Sequence, residues 1–141
     1  MMNSYRKALE IAKEVHNNQT DLSGKPYILH PLHVAKHVKG KKTKIVALLH
    51  DVVEDGNITL DYLKKYFTDD ICDAIDHLTR KPNVSYETYI ENIKECKLAR
   101  TVKMADLEHN MDITRLNNLV DADYKRLKKY LNAYKELKDE R

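Results

Sequence analysis

Residues 44–55 read KIVALLHDVVED, an apolar segment that turns acidic without leaving helical register. At 100° per residue, with His50 at 0°, Glu54 falls near 40°, Asp51 near 100° and Asp55 near 140°. Val46, Leu48, Leu49, Val52 and Val53 fill the rest of the wheel. A helix that is apolar on its other faces is expected to be central and buried, where an unpaired charge costs several kcal/mol. Four ionisable groups on one arc therefore need a partner, and a cation would serve. For this segment taken alone, an amphipathic helix with the arc turned to water is the alternative. Thr43 is placed to cap the helix, which is expected over Lys44 to Asp55, and Gly56-Asn57 to stop it.

Further helices follow on both sides. Ser4 to Val15 carries Ala8, Leu9, Ile11, Ala12 and Val15 at helical spacing, and residues 17–26 (NNQTDLSGKP) are turn chemistry. Pro31 fits a first helical turn, which puts His30 at a helix entrance. Thr59 caps Leu60 to Phe67, Asp69 or Asp70 begins a helix to about Thr79, and Lys81-Pro82-Asn83 breaks the chain. Ser85 caps Tyr86 to Glu95, another helix spans about Leu98 to Met111, and Asp121 caps the last, from Ala122 towards the charged end. The pattern predicts an all-α, single-domain bundle of about eight helices over residues 1–141.

Composition agrees. A chain of 141 residues with three Gly, three Pro and one Phe lacks a strand-rich or turn-rich make-up and is long enough for its own core. Cys72 and Cys96 lack ligand-like spacing and read as reduced thiols. The N-terminal segment is charged through the stretch a signal peptide would need apolar, and no uncharged run reaches membrane-spanning length, so the expectation is a cytoplasmic protein without membrane association. A net charge of +3 among 25 basic and 22 acidic residues gives little support to nucleic-acid binding. The one basic cluster, Lys36 to Lys44, reads as a solvated helix end or loop. Oligomeric state is not legible.

A second polar stripe strengthens the case for a site. Lys103, Asp106 and Asn110 recur at spacings of three and four between Val102, Met104, Ala105 and Leu107. An acid, an amide and a cation there suit joint binding of a metal and a phosphate. Two neutral imidazoles with two carboxylates make a ligand set for a borderline divalent ion such as Mn, Fe, Zn or Co; Mg alone is less expected. Such an ion would acidify its water and draw charge off a phosphoryl oxygen, and Glu54 and Asp55, one turn on, would move protons.

Three ordered segments resemble the HD-domain phosphohydrolases, and among them the hydrolase half of the RelA/SpoT enzymes, over about residues 5–120. They are Gly24-Lys25-Pro26-Tyr27-Ile28-Leu29-His30-Pro31-Leu32, Ala47-Leu48-Leu49-His50-Asp51-Val52-Val53-Glu54-Asp55, and Val102-Lys103-Met104-Ala105-Asp106 with His109-Asn110-Met111. That half removes the 3′-pyrophosphate of guanosine tetraphosphate with Mn. The resemblance implies His30, His50, Asp51 and Asp106 as ligands of a divalent metal, Mn foremost, with Glu54 and Asp55 activating and positioning water. It implies Asn110 and Ser23 as contacts to a nucleotide substrate, and Lys103 facing phosphate or pairing with an acid. No synthetase half is expected.

Two positions depart from that pattern. Asp21 stands where the family has an arginine stacking on guanine, nine residues before His30. Ile113, followed by Thr114, stands where a threonine is expected, seven residues after Asp106. Losing a planar cation from a stacking place removes about 1–2 kcal/mol, and the new charge would repel phosphate. Lys25 and Arg100 are the candidates to replace that cation.

Other residues carry plainer expectations. His16 is expected to brace its loop. His33 and His37 are expected to face solvent, and His77 lies off the polar arcs. His109, at about 240° when Lys103 is at 0°, is expected to pack or cap away from Asp106. Tyr62, Tyr66, Tyr86, Tyr89, Tyr124, Tyr130 and Tyr134 are expected to pack between helices. The leading function is hydrolysis of a nucleotide phosphate or pyrophosphate ester, guanosine tetraphosphate included. The alternatives are an HD hydrolase for another nucleotide or phosphorylated metabolite, and a non-catalytic helical nucleotide-binding or partner-binding module.

Overall fold

In the computed structural model, which describes residues 3–138, the chain forms α1 (Ser4–Val15), α2 (Leu29–Lys36), α3 (Lys41–Leu49), α4 (Val52–Asp55) and α5 (Leu60–Lys64). It continues with α6 (Asp69–Leu78), α7 (Tyr86–Ile93), α8 (Lys97–Asn110), a 3-10 turn at Ile113–Arg115, and α9 (Asp121–Lys138). The expected domain limits, 1–141, and the expected run of the last helix into the charged end reach residues 1–2 and 139–141, which lie outside the described residues. Among the described residues the one β pairing is an isolated antiparallel bridge between Thr20 and Pro26. The all-α expectation holds. No helix among them is long and apolar enough to cross a membrane.

Side-chain caps account for the starts of α1, α5 and α7, at Asn3, Thr59 and Ser85. Thr59 Oγ1 accepts from the Tyr62 amide at 3.1 Å and Ser85 Oγ from the Thr88 amide at 3.1 Å, as the capping pattern requires. Thr43 and Asp121 do not cap. Gly40, at φ 95°, turns the chain into α3 three residues before Thr43, which is itself buried in that helix. Asp121 is the first residue of α9, and the carboxylate that reaches back to the helix entrance is Asp123, whose Oδ2 accepts from the Val120 amide at 2.9 Å. The basic cluster ends in a specific contact: Lys44 Nζ donates to the carbonyls of Ala35 at 2.9 Å and Val38 at 2.8 Å, tying down the end of α2.

The helix expected over 44–55 is two helices. His50 Nδ1 lies 2.6 Å from the Ala47 carbonyl, the acceptor a continuous helix would give to the Asp51 amide. The side chain takes the backbone's acceptor, so α3 ends at Leu49 and α4 starts at Val52, with His50 and Asp51 as the intervening caps. The wheel angles of Asp51, Glu54 and Asp55 relative to His50 therefore do not carry through.

α3 sits at the centre, packed by α1, α2, α6 and α8. Ile45, Val46, Ala47, Leu48 and Leu49 are all buried, and the large aliphatic ones contribute about 1.5–3 kcal/mol each. This packing fixes α2, α3 and α8 side by side with one polar group from each facing a common point. Tyr62, Tyr86, Tyr89, Tyr130 and Tyr134 pack as expected, whereas Tyr66 and Tyr124 are exposed. Cys72 and Cys96 are both free thiols.

Candidate metal centre

His30 from α2, His50 from the end of α3 and Asp106 from α8 meet in the interior, each with a ligating atom within 4.8 Å of the others. All three are buried. His30 Nε2 is 2.7 Å from Asp106 Oδ1, and His50 Nε2 is 3.5 Å from the same oxygen. Asp51 adjoins the group through His50, with Oδ2 3.1 Å from His50 Nε2. Tyr27 donates its hydroxyl to that same Asp51 oxygen.

The donor atoms suit a cation. A carbonyl only accepts, so His50 Nδ1 carries the proton it gives to Ala47, which leaves Nε2 as the ring nitrogen turned inward. That Nε2 is buried between two carboxylates and makes no hydrogen bond among the described residues, a place a cation would fill. Burial opposes charging His50, but the Asp51 charge and Asp106 outweigh it and lift the imidazole well above its ordinary pKa. Burial likewise favours the neutral carboxyl of Asp51, yet the facing His50 charge and the Tyr27 hydroxyl bring it to about 2. Asp106 is held well below the carboxylate range by Lys103 and the two histidines against its complete burial. Its oxygens divide the work: Oδ2 takes Lys103 Nζ at 2.9 Å, while Oδ1 faces both histidines and takes Asn110 Nδ2 at 3.0 Å.

Glu54 and Asp55 stand at the solvent edge of this centre, on α4. Glu54 Oε1 accepts from the Arg80 amide at 3.0 Å, and Asp55 Oδ2 is 4.0 Å from His16 Nδ1. Partial burial and the Asp51 charge raise both carboxyl pKa values; for Glu54 the Arg80 amide opposes the rise, and for Asp55 His16 does. His16 also meets Gln19 Oε1 at 3.0 Å, while Gln19 Nε2 returns to the Val15 carbonyl at 3.1 Å, the loop-bracing role expected of it.

A cavity of about 330 Å³ opens beside the centre, lined by His30, Tyr27, Asn110, Ser23, Asp21, Arg115, Tyr130 and neighbouring residues. Asp21 does not stand there as a bare charge. Its Oδ1 takes the Ser23 amide at 2.9 Å, the Ser23 hydroxyl at 2.7 Å and the Lys25 amide at 3.0 Å, and its Oδ2 faces Arg115 Nη2 at 3.4 Å. The cation beside Asp21 is thus Arg115, not Lys25 or Arg100; Arg100 Nη2 bonds the Lys94 carbonyl at 2.8 Å. Ser23 lines the cavity but spends its hydroxyl on Asp21.

His109 and His33 correct the sequence reading. His109 Nδ1 is 2.7 Å from His30 Nδ1, because α2 packs on α8 at the side the wheel placed away from Asp106. His33 is only partly exposed and stacks on His109 at 3.7 Å between centroids, with His37 stacked on its other side at 4.0 Å. The signal for His109 lay in the Asp106–Asn110 turn itself, but nothing in one helix tells which neighbour that turn meets.

Helices around a buried His–Asp centre, with a cavity at its mouth, define an all-helical domain with a candidate metal site. The chain belongs to the HD domain family, which it matches over residues 8–120. It is similar to a guanosine-3′,5′-bis(diphosphate) 3′-pyrophosphohydrolase of Borreliella burgdorferi, 38% identical over 74% of this chain and 18% of that protein. It is also similar to one of Haemophilus influenzae, at 33% over 72% and 17%. Escherichia coli SpoT, a bifunctional (p)ppGpp synthase/hydrolase, is 31% identical over 75% and 17%. The chain therefore spans less than a fifth of these relatives' length. A solved metazoan ortholog of SpoT shares the fold, with a TM-score of 0.78 at 24% identity, covering 99% of this chain and 85% of that one.

Proposed function

We propose that this chain is a metal-dependent phosphohydrolase acting in the cytoplasm on a small nucleotide, guanosine 3′,5′-bis(diphosphate), whose 3′-pyrophosphate it removes. The observation that carries this is the buried His30, His50, Asp106 group with the unpartnered His50 Nε2 turned into it. The relatives' names supply the substrate. His30, His50, Asp51 and Asp106 hold the ion, Mn by the family's habit. A divalent ion there supplies a Lewis acid that lowers the pKa of a water and withdraws charge from a phosphoryl oxygen.

The chain's own groups do the rest. Glu54 and Asp55, with pKa values raised towards the working range, orient the attacking water and accept its proton. Lys103, kept charged by Asp106, faces the negative charge that builds on the phosphoryl group. Asn110 and Ser23 lie along the cavity where the nucleoside is received. The Asp21–Arg115 pair in the cavity wall favours a second reading, hydrolysis of a different nucleotide, because a carboxylate tied to Arg115 stands where the family stacks a cation.

The test is release of phosphate or pyrophosphate from a nucleotide panel including guanosine tetraphosphate, with and without Mn, alongside Asp51→Ala. Mn-dependent pyrophosphate release from guanosine tetraphosphate that vanishes in the variant supports the first reading. Release from another nucleotide alone supports the second. Bound metal without turnover of any nucleotide refutes both and favours a binding module.

A further inference from the structure

The His30–His109 contact has a geometry that a ring stack cannot have. The two ring planes differ by 7° and their centroids are 5.0 Å apart, yet their Nδ1 atoms are 2.7 Å apart. Parallel rings lying one above the other keep their atoms at van der Waals separation, about 3.5 Å. The rings are therefore side by side in nearly one plane, nitrogen to nitrogen, which is the arrangement of an N–H···N hydrogen bond. Only one of the two nitrogens can carry the proton between them.

That constraint bears on His30. Its Nε2 faces Asp106 Oδ1 at 2.7 Å and belongs to the group of three. For Nε2 to offer a lone pair, the ring proton must sit on Nδ1, and a buried Nδ1–H needs an acceptor. His50 meets the same need through the Ala47 carbonyl, one turn back in its own helix. His30 finds its acceptor on α8, three residues beyond the shared ligand Asp106. The face of His109 is braced by His33, whose ring lies 3.7 Å away at an angle of 13°.

Resting on the proposed metal-dependent reading, we propose that His109 is a positioning residue: its Nδ1 accepts from His30 Nδ1–H and so turns the His30 Nε2 lone pair into the metal centre. An imidazole does here what a carboxylate or backbone carbonyl commonly does behind a ligand histidine. The His30–His109 bond also ties α2 to α8, so two of the three helices that bring ligands together are joined behind the ligands themselves.

The experiment is calorimetric titration of the metal-free protein with Mn for the parent chain, His109→Leu and His109→Asn, with apo melting temperatures recorded for each. Leucine keeps bulk without an acceptor, whereas asparagine places an oxygen close to the Nδ1 position. His109→Leu is expected to weaken Mn binding roughly 10- to 100-fold, the range for losing such a partner, with His109→Asn within a few-fold of the parent. Leucine binding as tightly as the parent overturns the inference, as does asparagine binding as weakly as leucine. A parent chain that binds no Mn overturns the metal reading beneath it. A nitrogen–nitrogen coupling across the hydrogen bond in the 15N-histidine-labelled parent chain, metal-free and zinc-loaded, reads the contact without any substitution. Its absence in both states also overturns the inference.

Discussion

Replacing Lys103 with Met tests the charge balance of the centre without involving any substrate. Lys103 is 13% exposed at its side chain and sits 2.9 Å from Asp106, itself 6% exposed, with its ammonium 5.3 Å from the centre of the Tyr89 ring. Met keeps the length of the chain and its apolar contacts while deleting the cation. Removing one partner of a buried ion pair costs about 3–5 kcal/mol, because the remaining charge is left unpaired. The lower end applies, since the His50 imidazolium, 3.5 Å from Asp106, still offsets part of its charge. A loss of about 3 kcal/mol in a domain of this size lowers the melting temperature by about 9 °C. Urea and thermal unfolding in EDTA read that loss. Repeating both at one fixed Mn concentration, 100 times the parent's dissociation constant, adds about 2.7 kcal/mol to the parent and more to a form that binds the ion more tightly. The variant is expected to gain more than the parent, because the ion neutralises Asp106 and no longer contends with Lys103, so the gap narrows to below about 1 kcal/mol. A gap under about 1 kcal/mol in EDTA, or one that Mn leaves unchanged, refutes the reasoning.

Three further outcomes are expected. A Cβ on Gly56 would lie 2.8 Å from Val15 Cγ1 and 3.3 Å from the Val52 carbonyl oxygen, so Gly56→Ala should cost about 1–3 kcal/mol by overpacking; in urea melts, Val15→Ala should cost less in the Gly56→Ala background than in the parent. Lys42 first, then Thr68, hold Asp70 at about 2; its folded pKa lies below the unfolded one, so its contribution is complete above the ordinary carboxylate range and is lost as pH falls towards 2. Asp70→Asn should flatten that limb of an acid-unfolding curve, and the difference from the parent should shrink in high salt. Glu54→Gln and Asp55→Asn should each lower kcat about 10²- to 10⁴-fold in the nucleotide assay while metal content by elemental analysis stays at the parent level; loss of metal instead would make these residues ligands.

A capped helix whose apolar face must be buried is a local property, and the sequence carries it. The caps at Thr59 and Ser85, the apolar core of α3 and the polar stripe on α8 were all legible, because helical periodicity and side-chain-to-backbone hydrogen bonds depend on residues a few positions apart. The likeness in three segments also marked His30, His50 and Asp106 before any geometry was known. Tertiary packing decided the rest. Asp106 meets His30 across 76 positions of sequence only because α2 and α8 both pack on α3. Burial of His50 beside Ala47 set a side-chain hydrogen bond against a backbone one, and the helix over 44–55 broke where the side chain won. Arg115 reached Asp21 across 94 positions, and His109 met His30 in the plane of its ring. A helical wheel gives the direction in which a side chain leaves its own axis. The identity of the group it meets there belongs to the neighbouring helix, and only the packed core fixes that.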